Sequence, residues 1–260
     1  MEAEAHKLSA LTGLQSEEHL SLLDEIDKLR AHGIHDFVSL PQLVVCGDQS
    51  AGTSSVLEAI TEVPFPSKDN LCTRFATEIV LRRTAAKNVI VKIIPGDDVT
   101  IEEADLLRAF QGKLKDLNEL PRIIDEATDA MGLAASNHAF SKNVLSVEIT
   151  GPDRPQLTIV DLPGLIHSEN KSQSRTDVEV VSQLVDSYIK NKRTIILAVV
   201  TAKNDYANQI ILQRARQFDP TGDRTLGIIT KPDTLHTGSD SEADFVSLAR
   251  NGDSVVQFRL

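Results

Sequence analysis

Gly47-Asp48-Gln49-Ser50-Ala51-Gly52-Thr53-Ser54 has the makings of a phosphate-binding loop. It matches the spacing G-x-x-x-x-G-K-[ST] at every fixed position but one. The glycines let the backbone wrap a phosphate, and the loop N–H groups with the N-terminus of a following helix supply partial positive charge. The Ser54 hydroxyl is placed to bind Mg²⁺. The exception is Thr53, which stands where the pattern has lysine. Alone, the stretch reads equally well as a Gly/Ser turn joining a strand to a helix.

Such a loop has to be held by a strand before it and a helix after it. The apolar run Leu43-Val44-Val45-Cys46 predicts a buried strand, and residues 54–61 a helix. Further strands are expected over 77–81, 89–94, 144–149, 157–160, 194–200 and 226–229, with Lys92 facing out. Helices are expected over 16–31, 101–111, 117–131, 178–190 and 208–218, with another beginning at Asp244. Apolar strands alternating with helices call for an α/β fold, a mostly parallel sheet with helices on both faces. Ligands of such sheets sit beyond the C-terminal ends of the strands. Two polar turns meet that condition: Asp161-Leu162-Pro163-Gly164 follows one expected strand, and Thr230-Lys231-Pro232-Asp233 follows another.

The 260 residues suffice for one large domain or two small ones. A net charge of -11 argues against general nucleic-acid binding, which needs surplus Lys and Arg. Two cysteines, Cys46 and Cys72, are too few for a disulfide framework. No run approaches the roughly 20 apolar residues of a membrane span, and the first residues lack a basic-then-apolar leader, so a cytoplasmic location is expected. The pair His32 and His35 reads as polar helix-end residues rather than metal ligands.

Taken together, the phosphate loop with its continuation Ser55-Val56, the stretch Cys72-Thr73-Arg74-Phe75-Ala76-Thr77-Glu78-Ile79 and the two turns resemble the dynamin superfamily of large GTPases. Pro64-Phe65-Pro66 and the Cys72–Ile79 segment are most similar to its fungal and myxovirus-resistance-like branches. The resemblance implies a P-loop fold, Mg²⁺ with GTP or GDP, and hydrolysis by in-line water attack. On it, the residues from Gly47 to Ser55 hold the phosphates, with Gln49 and Ser50 arranging the catalytic end and a monovalent cation near Ser50. Thr73 in the first switch would join Ser54 and Asp161 around Mg²⁺, and the Gly164 N–H, after Leu162 and Pro163 in the second switch, would meet the γ-phosphate. Thr230, Lys231 and Asp233 would read the base, since one carboxylate can accept from both donors on the guanine edge. The family also implies pairing of G domains, with another copy or with full-length dynamins, membrane remodelling and organelle fission, and association with membranes or microtubules, placing the chain at the periphery of organelle membranes.

Two departures qualify this picture. Without a lysine at 53, hydrogen bonds worth roughly 1.5–3 kcal/mol each are lost, and a single cation in phosphoryl transfer can be worth on the order of 10³–10⁵ in rate. Lys68 and Arg74 are the conceivable substitutes. The sequence also ends at Leu260, before the last strand, second base loop and stalk of the family, so the sheet is expected to be incomplete at its C-terminal edge. The expected division is residues 1–36, resembling the first helix of the bundle-signalling element, and 37–260, the G domain. Three readings stay open: a slow GTPase, a pseudo-GTPase acting as an interaction module, and a truncated, non-functional fragment.

Overall fold

The structure, a computed structural model, describes residues 21, 25, 42–61, 63–65, 73–114, 116–134, 139–152, 154, 156–169 and 173–252. Of the expected N-terminal helix only Ser21 and Glu25 fall within these residues, and both are helical. The rest of that helix, with His32, His35, Lys68 and Cys72, lies outside them.

In chain order the elements are β1 (Gln42–Gly47), α1 (Thr53–Thr61), β2 (Ala76–Arg83), β3 (Asn88–Ile94), α2 (Ile101–Arg108), α3 (Leu120–Ala130), β4 (Val144–Gly151), β5 (Leu157–Asp161), α4 (Arg175–Ile189), β6 (Thr194–Thr201), α5 (Ile210–Phe218), β7 (Thr225–Thr230) and α6 (Asp240–Ala249). The strands form one seven-stranded sheet in the order β3-β4-β2-β5-β1-β6-β7. The pairs β5–β1, β1–β6, β6–β7 and β2–β4 are parallel, whereas β2–β5 and β3–β4 are antiparallel. The expected α/β fold with a mostly parallel sheet is what the chain forms.

The two-residue period of the strands sorts their side chains into two cores. Val44, Cys46, Val160, Ile196, Ala198 and Val200 face one way, under Val181, Leu184 and Val185 of α4, Ile211 and Leu212 of α5 and Phe245 of α6. Val45, Ile79, Ile159, Leu197 and Val199 face the other way, under Leu57 of α1 and Leu120, Ile123 and Ile124 of α3. Both faces of the central strands are therefore covered, as continuous apolar runs require. At the β3 edge Ile90, Lys92 and Ile94 are exposed. The outward-facing Lys92 is the expected one.

Several helix starts differ from those expected, and the caps explain why. The helix expected from 178 begins at Arg175, because Ser174 and Asp177 form a capping box. The one expected at Asp244 begins at Asp240, where Ser239 accepts a hydrogen bond from Glu242 N–H. The 208–218 helix starts later, at Ile210, because Gln209 turns inward and exchanges hydrogen bonds with the Thr201 backbone. The 101–111 helix stops at Arg108, and 117–131 opens with a 3₁₀ turn at Leu117–Glu119 before α3.

Candidate nucleotide-binding site

Strand direction decides where the polar loops meet. The parallel strands β1, β5, β6 and β7 end at Gly47, Asp161, Thr201 and Thr230, so the turns after β1, β5 and β7 emerge from one edge of the sheet. β2 runs opposite to β5 with Thr77 opposite Asp161, which brings Thr73 to the same edge.

The loop after β1 needs its glycines for two different reasons. A Cβ on Gly47 would lie 2.6 Å from the Val199 carbonyl oxygen, so the strand approach itself demands glycine. Gly52 sits at φ +98°, where a side chain is strained. Between them Ser50 adopts the left-handed region at φ 64°, rare for a non-glycine residue. The Asp48 carbonyl accepts from Ala51 N–H at 3.0 Å, and the Gly52 carbonyl accepts from Val56 N–H at 3.1 Å to open α1. Gln49 and Ser50 are exposed at the tip, Ala51 is buried, and Thr53 and Ser54 are half-buried at the helix start.

The turn after β5 lies directly against this loop. Leu165 N–H donates to the Gly47 carbonyl at 2.9 Å, and Gln49 N–H donates to the Leu165 carbonyl at 2.9 Å. Gly164 leaves so little room that a Cβ would stand 2.8 Å from the Gln49 Cα. Gln49 and Gly164, which the resemblance gives separate roles, are thus adjacent. Asp48 behaves differently from its neighbours. Its carboxylate is buried and turned away from the loop interior, accepting from the Ile210 and Ile211 N–H groups at 3.0 and 3.1 Å and lying 2.7 Å from His167 Nε2. Only the Asp48 backbone is available to a phosphate.

Ser54, Thr73 and Asp161 line one small cleft together with Phe65, Arg74, Phe75, Thr77 and Ile124. The Thr73 hydroxyl donates to Asp161 Oδ2 at 3.1 Å, while Oδ1 is buried with no hydrogen-bond partner among the described residues. Burial pushes the Asp161 carboxyl up from its usual 3.8 to about 7, against the smaller lowering effect of the Thr73 hydrogen bond. An unpartnered buried carboxylate oxygen beside two hydroxyls is an all-oxygen donor set of the hard kind that Mg²⁺ takes, so these residues fit the ion. Among the described residues no group of three His, Cys, Asp or Glu side chains forms a metal cluster.

At the turn after β7, the Thr230 hydroxyl donates to the Ala51 carbonyl at 2.5 Å, and Lys231 Nζ donates to the Ser50 carbonyl at 2.7 Å. Lys231 itself takes a left-handed φ of 57°, which turns the chain into the short 3₁₀ helix Pro232–Thr234. Asp233 is exposed on that helix. All the site residues expected from the sequence therefore gather at one sheet edge. Of the two candidate replacements for the missing lysine, Arg74 is committed elsewhere. Its Nε donates to the Ala139 carbonyl at 2.8 Å and its NH2 group to the Leu133 carbonyl at 3.0 Å.

The family model described as "Dynamin family" matches residues 43–232, well over half of the chain. The chain belongs to the dynamin family. It is 36% identical over 219 residues to interferon-induced GTP-binding protein Mx2 of Sus scrofa, covering 84% of this chain and 29% of that protein. It is 34% identical over 248 residues to interferon-induced GTP-binding protein Mx1 of Ictalurus punctatus, covering 94% of this chain and 37% of that protein. To interferon-induced GTP-binding protein Mx of Perca fluviatilis it is 34% identical over 218 residues, covering 84% and 68%. The chain thus spans about a third of the length of the first two relatives. The matched region is the family's GTPase domain, and Thr53 lies inside it. Sequence reading missed His167 and the side-chain role of Asp48, whose partners lie far along the chain. It missed the cap at Ser174 although the signal Ser174-x-x-Asp177 was present.

Proposed function

We propose that this dynamin-family domain binds GTP or GDP with Mg²⁺ and hydrolyses GTP at or near the background rate. One observation carries the reading: three strand-end loops and the Thr73 segment converge on one edge, with all the expected groups except the lysine that Thr53 replaces. The backbone N–H groups from Gly47 to Ser54 cradle the phosphates, with the α1 N-terminus behind them. Ser54, Thr73 and Asp161 would hold Mg²⁺, which would supply positive charge to offset that of the phosphates. The Gly164 N–H faces the γ-phosphate, and Gln49 and Ser50 order the attacking water, with a monovalent cation near Ser50. Asp233 accepts from the two donors of guanine, and the Lys231 stem lies along the ring.

Without the lysine, affinity falls by about ten- to a hundredfold, from the strength of charge-assisted hydrogen bonds. Hydrolysis suffers more, because phosphoryl transfer is mostly positioning and charge stabilisation. The names of the three relatives, all GTP-binding proteins, support the choice of ligand. A second reading rests on the same substitution: a well-packed G domain with weakened catalysis can serve as an interaction module, pairing through its nucleotide face with another copy or with full-length dynamins. Membrane remodelling and a place in the cytoplasm at organelle surfaces belong to this proposal by family analogy. Competition titration of labelled GDP tests the reading. GTP and GDP should outcompete ATP by at least about tenfold, because a carboxylate left facing adenine is unpaired. Equal affinity for ATP contradicts it.

A further inference from the structure

The segment after β5 does not leave the sheet when the strand ends. Leu162 N–H donates to the Val45 carbonyl at 3.3 Å, and Leu165 continues the contact with β1 through a bridge to Asp48. Two residues beyond Leu165, His167 places Nε2 2.7 Å from Asp48 Oδ2. The imidazole is 59% exposed and the Asp48 side chain 6% exposed, so the ring reaches from a largely exposed position to a buried carboxylate. Asp48 is anchored independently by the Ile210 and Ile211 N–H groups at the start of α5. One buried carboxylate therefore joins the phosphate loop, the second-switch segment and α5.

We infer that His167 is a positioning residue that latches the second-switch segment onto the phosphate loop through Asp48, keeping Gly164 seated against Gln49. The geometry assigns a direction to the coupling. On this inference, lifting Gly164 from Gln49 would strain the neighbouring Leu165–Gly47 bond and the His167–Asp48 contact, and Asp48 would carry that strain to α5. Leu165 and Ile166 are held by backbone bonding and by burial in the core, so His167 is the polar tie for the segment beyond them and the one that reaches the carboxylate shared with α5. The role in nucleotide response rests on the reading of this site as a GTP site, whereas the latch itself does not.

Amide hydrogen exchange on the nucleotide-free chain tests the latch. In His167→Ala, exchange across 162–169 should quicken about three- to tenfold, the range expected for one hydrogen bond between an exposed ring and a buried carboxylate. Exchange in β5 and β6 should not change. His167→Gln, whose amide can donate to Asp48 at similar reach, should restore most of the protection, which a purely space-filling role would not require. Unchanged exchange in His167→Ala, or equal loss in the Gln variant, overturns the latch. GDP and GTP titrations of the same proteins then separate the two claims. A latch present without a GTP-over-GDP difference between native and Ala proteins removes the coupling to nucleotide, and absence of nucleotide binding in every protein counts against the GTP reading alone.

Discussion

The loop after β1 and the turn after β7, the proposed phosphate and base sides of the site, both begin at the ends of parallel strands, yet they are held in different ways. On the phosphate side the backbone itself is wedged: Gly47 lies against Val199, Gly164 against Gln49, and Leu165 is bonded to Gly47 and Gln49. Buried carboxylates at Asp48 and Asp161 add their own requirements. On the base side two side chains, Thr230 and Lys231, reach across to the phosphate-loop carbonyls, and Asp233 stands exposed. Substitutions on the first side therefore strike fold and ligand together, whereas substitutions on the second can change ligand choice alone. Thr53 is the exception on the phosphate side, a half-buried helix-start residue whose change removes charge without touching the wedge.

The largest effect should come from pH acting on Asp161. Its folded value near 7 exceeds the ordinary 3.8, so between these values the folded state keeps a proton that the unfolded state releases. The contribution is fully present below the lower value and is lost as pH rises towards 7, at about 1.4 kcal/mol per pH unit. Urea melts at pH 5 and pH 7 without Mg²⁺ should show this slope in the native chain and not in Asp161→Asn, a difference on the order of 2–3 kcal/mol. Parallel pH profiles of the two proteins would break the assignment of Asp161 as a buried, raised carboxyl.

Next in size is Gly47→Ala, which forces a Cβ into the Val199 carbonyl. It should cost about 1–3 kcal/mol of stability, the usual range for overpacking, and weaken nucleotide binding with it. A denaturation midpoint equal to the native one would show that the β1–β6 approach is looser than described. The smallest effect on stability should be that of Asp233→Asn, within about 0.5 kcal/mol for an exposed position. Its effect on ligand choice should be large, shifting preference from guanine to xanthine nucleotides, because the amide donates where the carboxylate accepted. If the variant melts early, the contrast between the two sides fails; if preference stays with guanine, Asp233 is not the base reader.

Much of this was legible before any coordinates. The apolar runs Leu43–Cys46 and 194–200 are central strands, buried except for half-buried Leu43 and exposed Ile195, whose side chains alternate between two cores, and such runs announce themselves by composition. The three loops were placed at one edge because each followed a strand. The antiparallel sense of β2 was not legible, since alternation is the same in either direction. The fate of Asp48 was also hidden: it sits inside a phosphate-loop motif, but its partners His167, Ile210 and Ile211 lie 119, 162 and 163 positions away. Arg74 was a conceivable substitute cation from its place in the first-switch segment, and the Leu133 and Ala139 carbonyls show it to be held elsewhere.

The claim that the site is whole except for one cation is tested most directly by equilibrium binding of labelled GTP, with and without Mg²⁺, to the native chain and to Thr53→Lys. The account predicts weak binding by the native chain and affinity about tenfold higher or more in the variant, the worth of a charge-assisted hydrogen bond, with Mg²⁺ tightening binding in both. Equal affinity in the two proteins would contradict it, showing either that another cation already occupies the lysine's place or that the site is lost beyond Thr53.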